Sequence, residues 1–194
     1  IVALAVHNDI LLVLTSAFPY VVTGLDPRSM SQMILPYEQA CVSRLGVATT
    51  NIGVVYPTPD GLFLLAAGGG KMLTQNIFTK EQWAALGPEN LISFFYDGMY
   101  YGFFYGTGTG FAFNFSENPY IVDISIPGGS ITAGFLDAED DTLYLVNGSS
   151  IVSWGTSATP LEYSWKSGII RTGDASNFSC AAVVADGEVD FQLY

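Results

Sequence analysis

Charge is what this sequence is shortest of. Asp, Glu, Lys and Arg make up 12% of its 194 residues, about half the ~25% usual in soluble domains. The charge present is mostly of one sign, 18 acidic residues against 6 basic ones, for a formal net charge of -12. That balance argues against a nucleic-acid-binding face, because phosphate affinity comes mainly from lysine and arginine. Histidine occurs once and cysteine twice, which leaves few parts for nucleophilic or metal chemistry. Long apolar runs are missing too. A stretch such as Ile10 to Leu14 falls far below the ~20 residues of a membrane-spanning helix. The first residues carry no basic region of the signal-peptide kind before Asn8-Asp9. The chain opens at Ile1 without Met and stops at Asp190 to Tyr194 in strand-like sequence. A fragment of a longer protein is expected from those ends.

Apolar and aromatic residues are plentiful, at 49% and 14%. A disordered chain needs the opposite balance, and this length suffices for a real core. Apolar strands recur, separated by tight polar turns. The first unit runs Val2–Val6, a turn at His7-Asn8-Asp9, Ile10–Thr15, a break at Phe18-Pro19, then Tyr20–Gly24. The second has Ile52–Tyr56, a turn from Pro57 to Gly61, Leu62–Ala66, a break at Gly68-Gly69-Gly70, then Lys71–Thr74. The third has Leu91–Tyr96, Asp97-Gly98, Met99–Tyr105, the glycine run Gly106 to Gly110, then Phe111–Phe115. The fourth has Ile131–Leu136, an acidic turn Asp137 to Asp141, Thr142–Val146, Asn147-Gly148, then Ile151–Trp154.

Asp-Gly and Asn-Gly suit the positive φ of primed hairpin turns. With Asp9, Asp60, Asp97 and Asp141 as the first turns, the spacings are 51, 37 and 44 residues. A hairpin unit recurring every ~40–50 residues is the mark of a β-propeller blade, with a β-sandwich as the competing architecture. The expected fold is therefore all-β: propeller-like blades of antiparallel strands over 1–160, with one short helix. Residues 161–194 read as the start of a further β module or an incomplete blade, with strands at 163–167, 180–185 and 189–194. Thr79-Lys80-Glu81-Gln82 is a capping box that predicts the helix, with Trp83, Leu86 and Ala84 facing inward and Gly87-Pro88 as its stop. The stretch Asp26 to Gln39 predicts a short turn at Pro27 to Met30 and no long helix.

Little in the sequence carries chemistry, and no catalytic, cofactor-binding or metal-binding residue is assigned. His7 has no nucleophile motif to serve, since Gly-x-Ser-x-Gly is absent. Gly106-Thr107-Gly108-Thr109-Gly110 departs from Gly-x-Gly-x-x-Gly and leads into a strand rather than a helix, so a hairpin loop is expected. Gly68-Gly69-Gly70-Lys71 fails the phosphate-loop pattern, with Leu65 and Met72 at key positions. Asp137, Glu139, Asp140 and Asp141 form an acidic cluster without the glycine and distal Glu of a calcium loop. A solvent-facing turn is the simpler reading. Tyr100 and Tyr101 lie in an aromatic strand whose alternation puts Tyr101, Phe103 and Tyr105 on one face, with Tyr100 and Phe104 on the other. Packing between blades accounts for both. A contact surface made of Tyr100, Tyr101 and Trp154 is the alternative. Cys41 and Cys180 read as buried free thiols, and the three Asn-x-Ser sequons at Asn114, Asn147 and Asn177 carry no weight.

A series of phrases resembles bacteriophage and prophage tail proteins with propeller-like repeats. They are Tyr20 to Pro27 with Ser29-Met30, Gln39 to Arg44, Tyr56 to Leu62, Thr79 to Pro88, Asp97 to Tyr100 and Trp165-Lys166-Ser167. The chain departs at Leu45-Gly46, where the family usually has a basic residue. The resemblance implies a non-enzymatic virion structural protein, similar to tail tube or nozzle components of short-tailed phages. It implies assembly in the bacterial cytoplasm and no cofactor. It implies other tail proteins and copies of the chain in a ring as partners, with DNA passing through without specific binding during ejection. On that reading Asp137, Glu139, Asp140 and Asp141 would face solvent or the conduit. A receptor- or glycan-binding module at the tail tip, using Tyr100, Tyr101 and Trp154, is the alternative. No membrane insertion is expected of this segment.

Overall fold

The computed structural model describes residues 1–157 apart from 25, 67 and 116–118, together with Ser164, Val189 and Asp190. The module expected over 161–194 lies otherwise outside the described residues, as do Cys180 and Trp165-Lys166-Ser167. Four separate antiparallel sheets form a four-blade β-propeller arrangement. Blade 1 is β1 (Ala3–His7), β2 (Ile10–Leu14), β3 (Tyr20–Thr23) and β4 (Ser31–Ile34). Blade 2 is β5 (Ala48–Thr49), β6 (Val54–Thr58), β7 (Gly61–Ala66) and β8 (Gly69–Met72). Blade 3 is β9 (Leu91–Tyr96), β10 (Met99–Phe104), β11 (Thr109–Asn114) and β12 (Ile121–Ser125). Blade 4 is β13 (Ile131–Asp137), β14 (Thr142–Asn147) and β15 (Ser150–Ser153). Within each sheet, spatial order follows chain order.

The turns obey their residues. Asn8 and Asp9 both take positive φ, 48° and 60°, and close the pair His7↔Ile10. Asp97 and Gly98 do the same at 47° and 73° between Tyr96 and Met99. This is the primed geometry whose twist matches the strands. In blade 4 the second turn is Gly148-Ser149, one residue later than expected, closed by Asn147↔Ser150.

Blade 2 corrects the phase of the repeat. Its first strand is β5, which pairs Ala48 with Val55 and Thr49 with Val54, so Val54–Thr58 is the second strand. A two-residue strand leaves almost no alternation to read. With Asn51 in the first turn, the first-turn positions Asp9, Asn51, Asp97 and Asp141 stand 42, 46 and 44 residues apart, more even than the spacing through Asp60. Strands β4 and β12 complete blades 1 and 3 beyond the three strands expected. The glycines Gly69 and Gly70, expected as a break, belong to β8. Gly70 fits there because a Cβ would lie 2.3 Å from the Phe63 ring.

The helix α1 (Lys80–Leu86) has its capping box: Gln82 N–H donates to Thr79 Oγ1, and Thr79 N–H donates to Gln82 Oε1. Gly87 ends it in the left-handed region, φ 72°. Only Trp83 is buried. Leu86 and Ala84 are exposed, against expectation, because two turns of helix rest on the blades through a single anchor.

Three apolar cores lie between successive blades. Ala5, Leu12 and Leu14 of blade 1 meet Val54, Tyr56, Phe63 and Leu65 of blade 2. The other face of blade 2, with Ala48, Val55, Leu62 and Leu64, meets Leu91, Tyr100, Phe111 and Phe113 of blade 3. Tyr101, Phe103 and Ala112 then meet Ile131, Leu143 and Leu145 of blade 4. Strands buried on both faces read as continuous apolar runs rather than alternating ones, as Leu62–Leu65 does.

Candidate functional site

The first strand of each blade touches the first strand of the next, β1 to β5, β5 to β9 and β9 to β13. Hydrogen bonds fix their direction. Ser43 Oγ donates to the Leu91 carbonyl at 2.7 Å, and Ser93 N–H donates to the Leu45 carbonyl at 2.9 Å. The chain entering β5 therefore runs alongside β9 in the same sense. Thr49 Oγ1 reaches the Val6 carbonyl at 3.3 Å, joining the ends of β5 and β1. At the opposite end, Tyr105 N–H donates to the Asn90 carbonyl and Ile131 N–H to the Thr107 carbonyl, so β9 and β13 start beside one loop. All four first strands point one way, and their first turns gather at one end of the blades.

That end is acidic. The first turns and their flanks carry Asp9, Asp97, Asp137, Glu139, Asp140 and Asp141, and the β3–β4 turn at the same end adds Asp26 and one cation, Arg28. All are exposed except Asp137, which is half-buried. Asp137 Oδ1 accepts from Glu139 N–H at 2.9 Å, and Thr142 Oγ1 donates to the Asp140 carbonyl at 3.1 Å. These bonds hold the turn after β13, with Asp141 at φ 48°. The predicted cluster is thus solvent-facing. Asp9 and Asp97 join its end of the molecule, which linear sequence could not show because 44 residues separate Asp97 from Asp141. Among the described residues no group of three or more His, Cys, Asp or Glu is placed to hold a metal ion.

The predicted aromatic surface lies elsewhere. Tyr100 is fully buried, stacks on Phe111 with centroids 6.1 Å apart, and donates to the Gly46 carbonyl at 2.9 Å. Burial drives its phenol pKa well above the ordinary tyrosine range. Tyr101 is 9% exposed and meets Trp154 edge-on at 5.5 Å. Trp154, half-buried, also packs edge-on against Phe103 at 5.7 Å. Tyr100 and Tyr101 offer no stacking face to a ligand, because a blade with neighbours on both sides buries both rows of its aromatics. The three residues seal packing between blades, as alternation along β10 favours.

The remaining chemical candidates resolve into structure. His7 Nε2 lies 3.0 Å from the Asn8 amide nitrogen, with no nucleophile in the pairing. In the glycine run, a Cβ on Gly108 would lie 2.2 Å from the Ile126 carbonyl oxygen and 2.9 Å from Gly129 Cα. The run is a close backbone crossing rather than a phosphate cradle. Cys41 is a buried free thiol whose Sγ–H donates to the Ser43 carbonyl. Burial pushes it up to about 11, which makes it a poor nucleophile. At the end opposite the acidic turns, Ser43, Arg44, Glu89, Asn90 and Tyr105 line a cleft of about 330 Å³. Among the described residues its charged groups, one cation and one carboxylate, make no ion pair.

No helix among the described residues is long and apolar enough to cross a membrane. Neither a protein-family model nor a curated protein matches the sequence.

Proposed function

We propose that the chain is a non-enzymatic structural protein of a phage tail, part of a tube or nozzle assembly around the DNA path. The resemblance of its ordered phrases to such proteins suggests the class. The observation that carries the reading is the excess of carboxylates at one end of the blades, six on the first turns and Asp26 on the β3–β4 turn, against the single cation Arg28. Carboxylates repel phosphate, so a rim of them lets DNA pass without adhering. At physiological salt this repulsion reaches about 8 Å, enough to act on a duplex grazing the rim and too short to hinder its approach. The low share of charged residues, 12%, suits a subunit with broad contacts, since obligate interfaces are more apolar than ordinary surface.

Immunogold labelling of purified virions tests the placement. Label confined to the tail is expected, and no label on any particle overturns the reading. Replacing Asp137, Glu139, Asp140 and Asp141 together by Lys should slow DNA delivery while particles still assemble. Unchanged delivery would remove the acidic rim from the mechanism.

A further inference from the structure

We propose that the cleft where blades 2 and 3 meet, at the end opposite the acidic turns, is a saccharide-binding site. Three stretches distant in sequence wall it: Ser43 to Leu45 before β5, Glu89 to Ile92 at the start of β9, and Tyr105 after β10. Ser43, Leu91 and Ile92 are buried and form its floor. Hydrogen bonds to the main chain fix the walls to one another. Ser43 Oγ donates to the Leu91 carbonyl at 2.7 Å and accepts from Gly46 N–H at 3.2 Å. Ser93 N–H donates to the Leu45 carbonyl, and Tyr105 N–H to the Asn90 carbonyl, both at 2.9 Å. The cleft is therefore preformed, as small-ligand sites usually are. Its volume of about 330 Å³ lies at the lower end of the ~300–1,000 Å³ of such sites, which suits the end of a glycan.

The backbone of the cleft is tied, but its side-chain ends are free. Arg44, Glu89, Asn90 and Tyr105 are all exposed. None of their side chains has a hydrogen-bond or ion-pair partner among the described residues. Tyr105 is the most exposed aromatic of those residues, at 57%, and its ring packs on no other ring among them. Tyr100 and Tyr101 of the neighbouring strand are consumed by packing between blades, and Tyr105 is not. Together these groups match a sugar ring. Arg44 only donates, Glu89 only accepts, and Asn90 and Tyr105 do both, while each sugar hydroxyl is itself donor and acceptor. The Tyr105 ring offers a face of negative quadrupole, which attracts the C–H groups on one side of a pyranose. Leu45, 50% exposed in the same cleft, adds apolar surface. A phosphate-rich ligand is disfavoured. Glu89 offsets the single cation of the cleft, and a chain of net charge -12 repels polyanions. The site is independent of the tail reading, since it uses no carboxylate of the acidic end.

A glycan array probed with the biotinylated 194-residue chain on fluorescent streptavidin tests this, since multivalent display compensates for a weak single site. Retention on a restricted set of glycans is expected. No retention anywhere on the array overturns the proposal, whatever virion labelling shows. Tyr105→Ala and Arg44→Gln, made separately, should each lower the signal about tenfold, through the lost stacking face and the lost charge-assisted hydrogen bonds. Tyr105→Phe keeps the ring and should retain most of the signal. Tyr120→Ala, at an exposed tyrosine outside the cleft, should leave it unchanged. Circular dichroism should not move in any of these variants, because the substituted side chains are exposed. Retention that survives both Tyr105→Ala and Arg44→Gln undiminished overturns the site. The free form of the retained saccharide should compete with the array. Competition by glycine or inorganic phosphate at the same concentration would make the cleft a site for a zwitterion or an anion, and overturns the saccharide class.

Discussion

The indole nitrogen of Trp83 donates a 2.7 Å hydrogen bond to the main-chain carbonyl of Thr58. Both residues are fully buried. The bond ties the only buried side chain of α1 to the end of β6, beside the 2.9 Å ion pair of Lys80 with Asp60. That ion pair is exposed and raises the Lys80 pKa chiefly through its hydrogen bond to Asp60. Exposed pairs contribute little to stability, so Trp83 carries the attachment.

Trp83→Phe keeps an aromatic ring but leaves the Thr58 carbonyl without its partner. A loss of about 1–3 kcal/mol is expected. Trp83→Ala adds a cavity and should cost about 3–5 kcal/mol. Urea melts of both variants separate the two contributions: their difference reports the packing of the ring, and a Trp83→Phe protein as stable as the parent would mean that the hydrogen bond contributes nothing.

Tyr100→Phe removes the hydroxyl that reaches from blade 3 to the Gly46 carbonyl in the chain leading to β5. The expected cost is about 1–2 kcal/mol, because a buried acceptor loses its donor. Thermal melting should register it as a fall of several degrees.

Gly108→Ala drives a methyl group into the Ile126 carbonyl and against Gly129. Backbone cannot yield as a side-chain tip can, so a loss of about 1–3 kcal/mol or more is expected. Gly106→Ala is the comparison: its surroundings are open and only its φ of 72° is unfavourable, a cost of about 1–2 kcal/mol. Calorimetry should rank Gly108→Ala as the more damaging.

Stability should fall in alkali. Burial raises the folded pKa of Cys41 to about 11 from 9.0 and also raises those of Tyr56 and Tyr100. A raised folded pKa gives stability that is complete below the unfolded pKa and lost as pH rises through the folded one. For Cys41 the window is therefore 9.0 to about 11, with roughly 2–3 kcal/mol at stake. Urea midpoints at pH 8, 9.5 and 11 should decline in that order, and Cys41→Ala should flatten the Cys41 part of the decline. Iodoacetamide at pH 8 should leave the Cys41 peptide unmodified in the native protein by mass spectrometry.

Local chemistry is what the sequence by itself determined. Asn8-Asp9 and Asp97-Gly98 take positive φ cheaply, so their hairpins could be read directly. Thr79, Gln82 and Gly87 bound α1 through their own side chains and backbone freedom. The double-faced apolar strands of blades 2 and 3 announced burial on both sides. Tertiary structure alone decided the phase of blade 2, because β5 is two residues long and owes its place to β6 and the neighbouring first strands. It alone exposed Leu86, since nothing local says how many side chains a two-turn helix can seat. It also brought Asp9 and Asp97 to the same end as Asp137 to Asp141, and set Arg44, Glu89, Asn90 and Tyr105 around one cleft. Those outcomes depend on which first strands lie side by side and which blade face meets a neighbour. Both are contacts between distant segments, to which a residue's own propensity is indifferent.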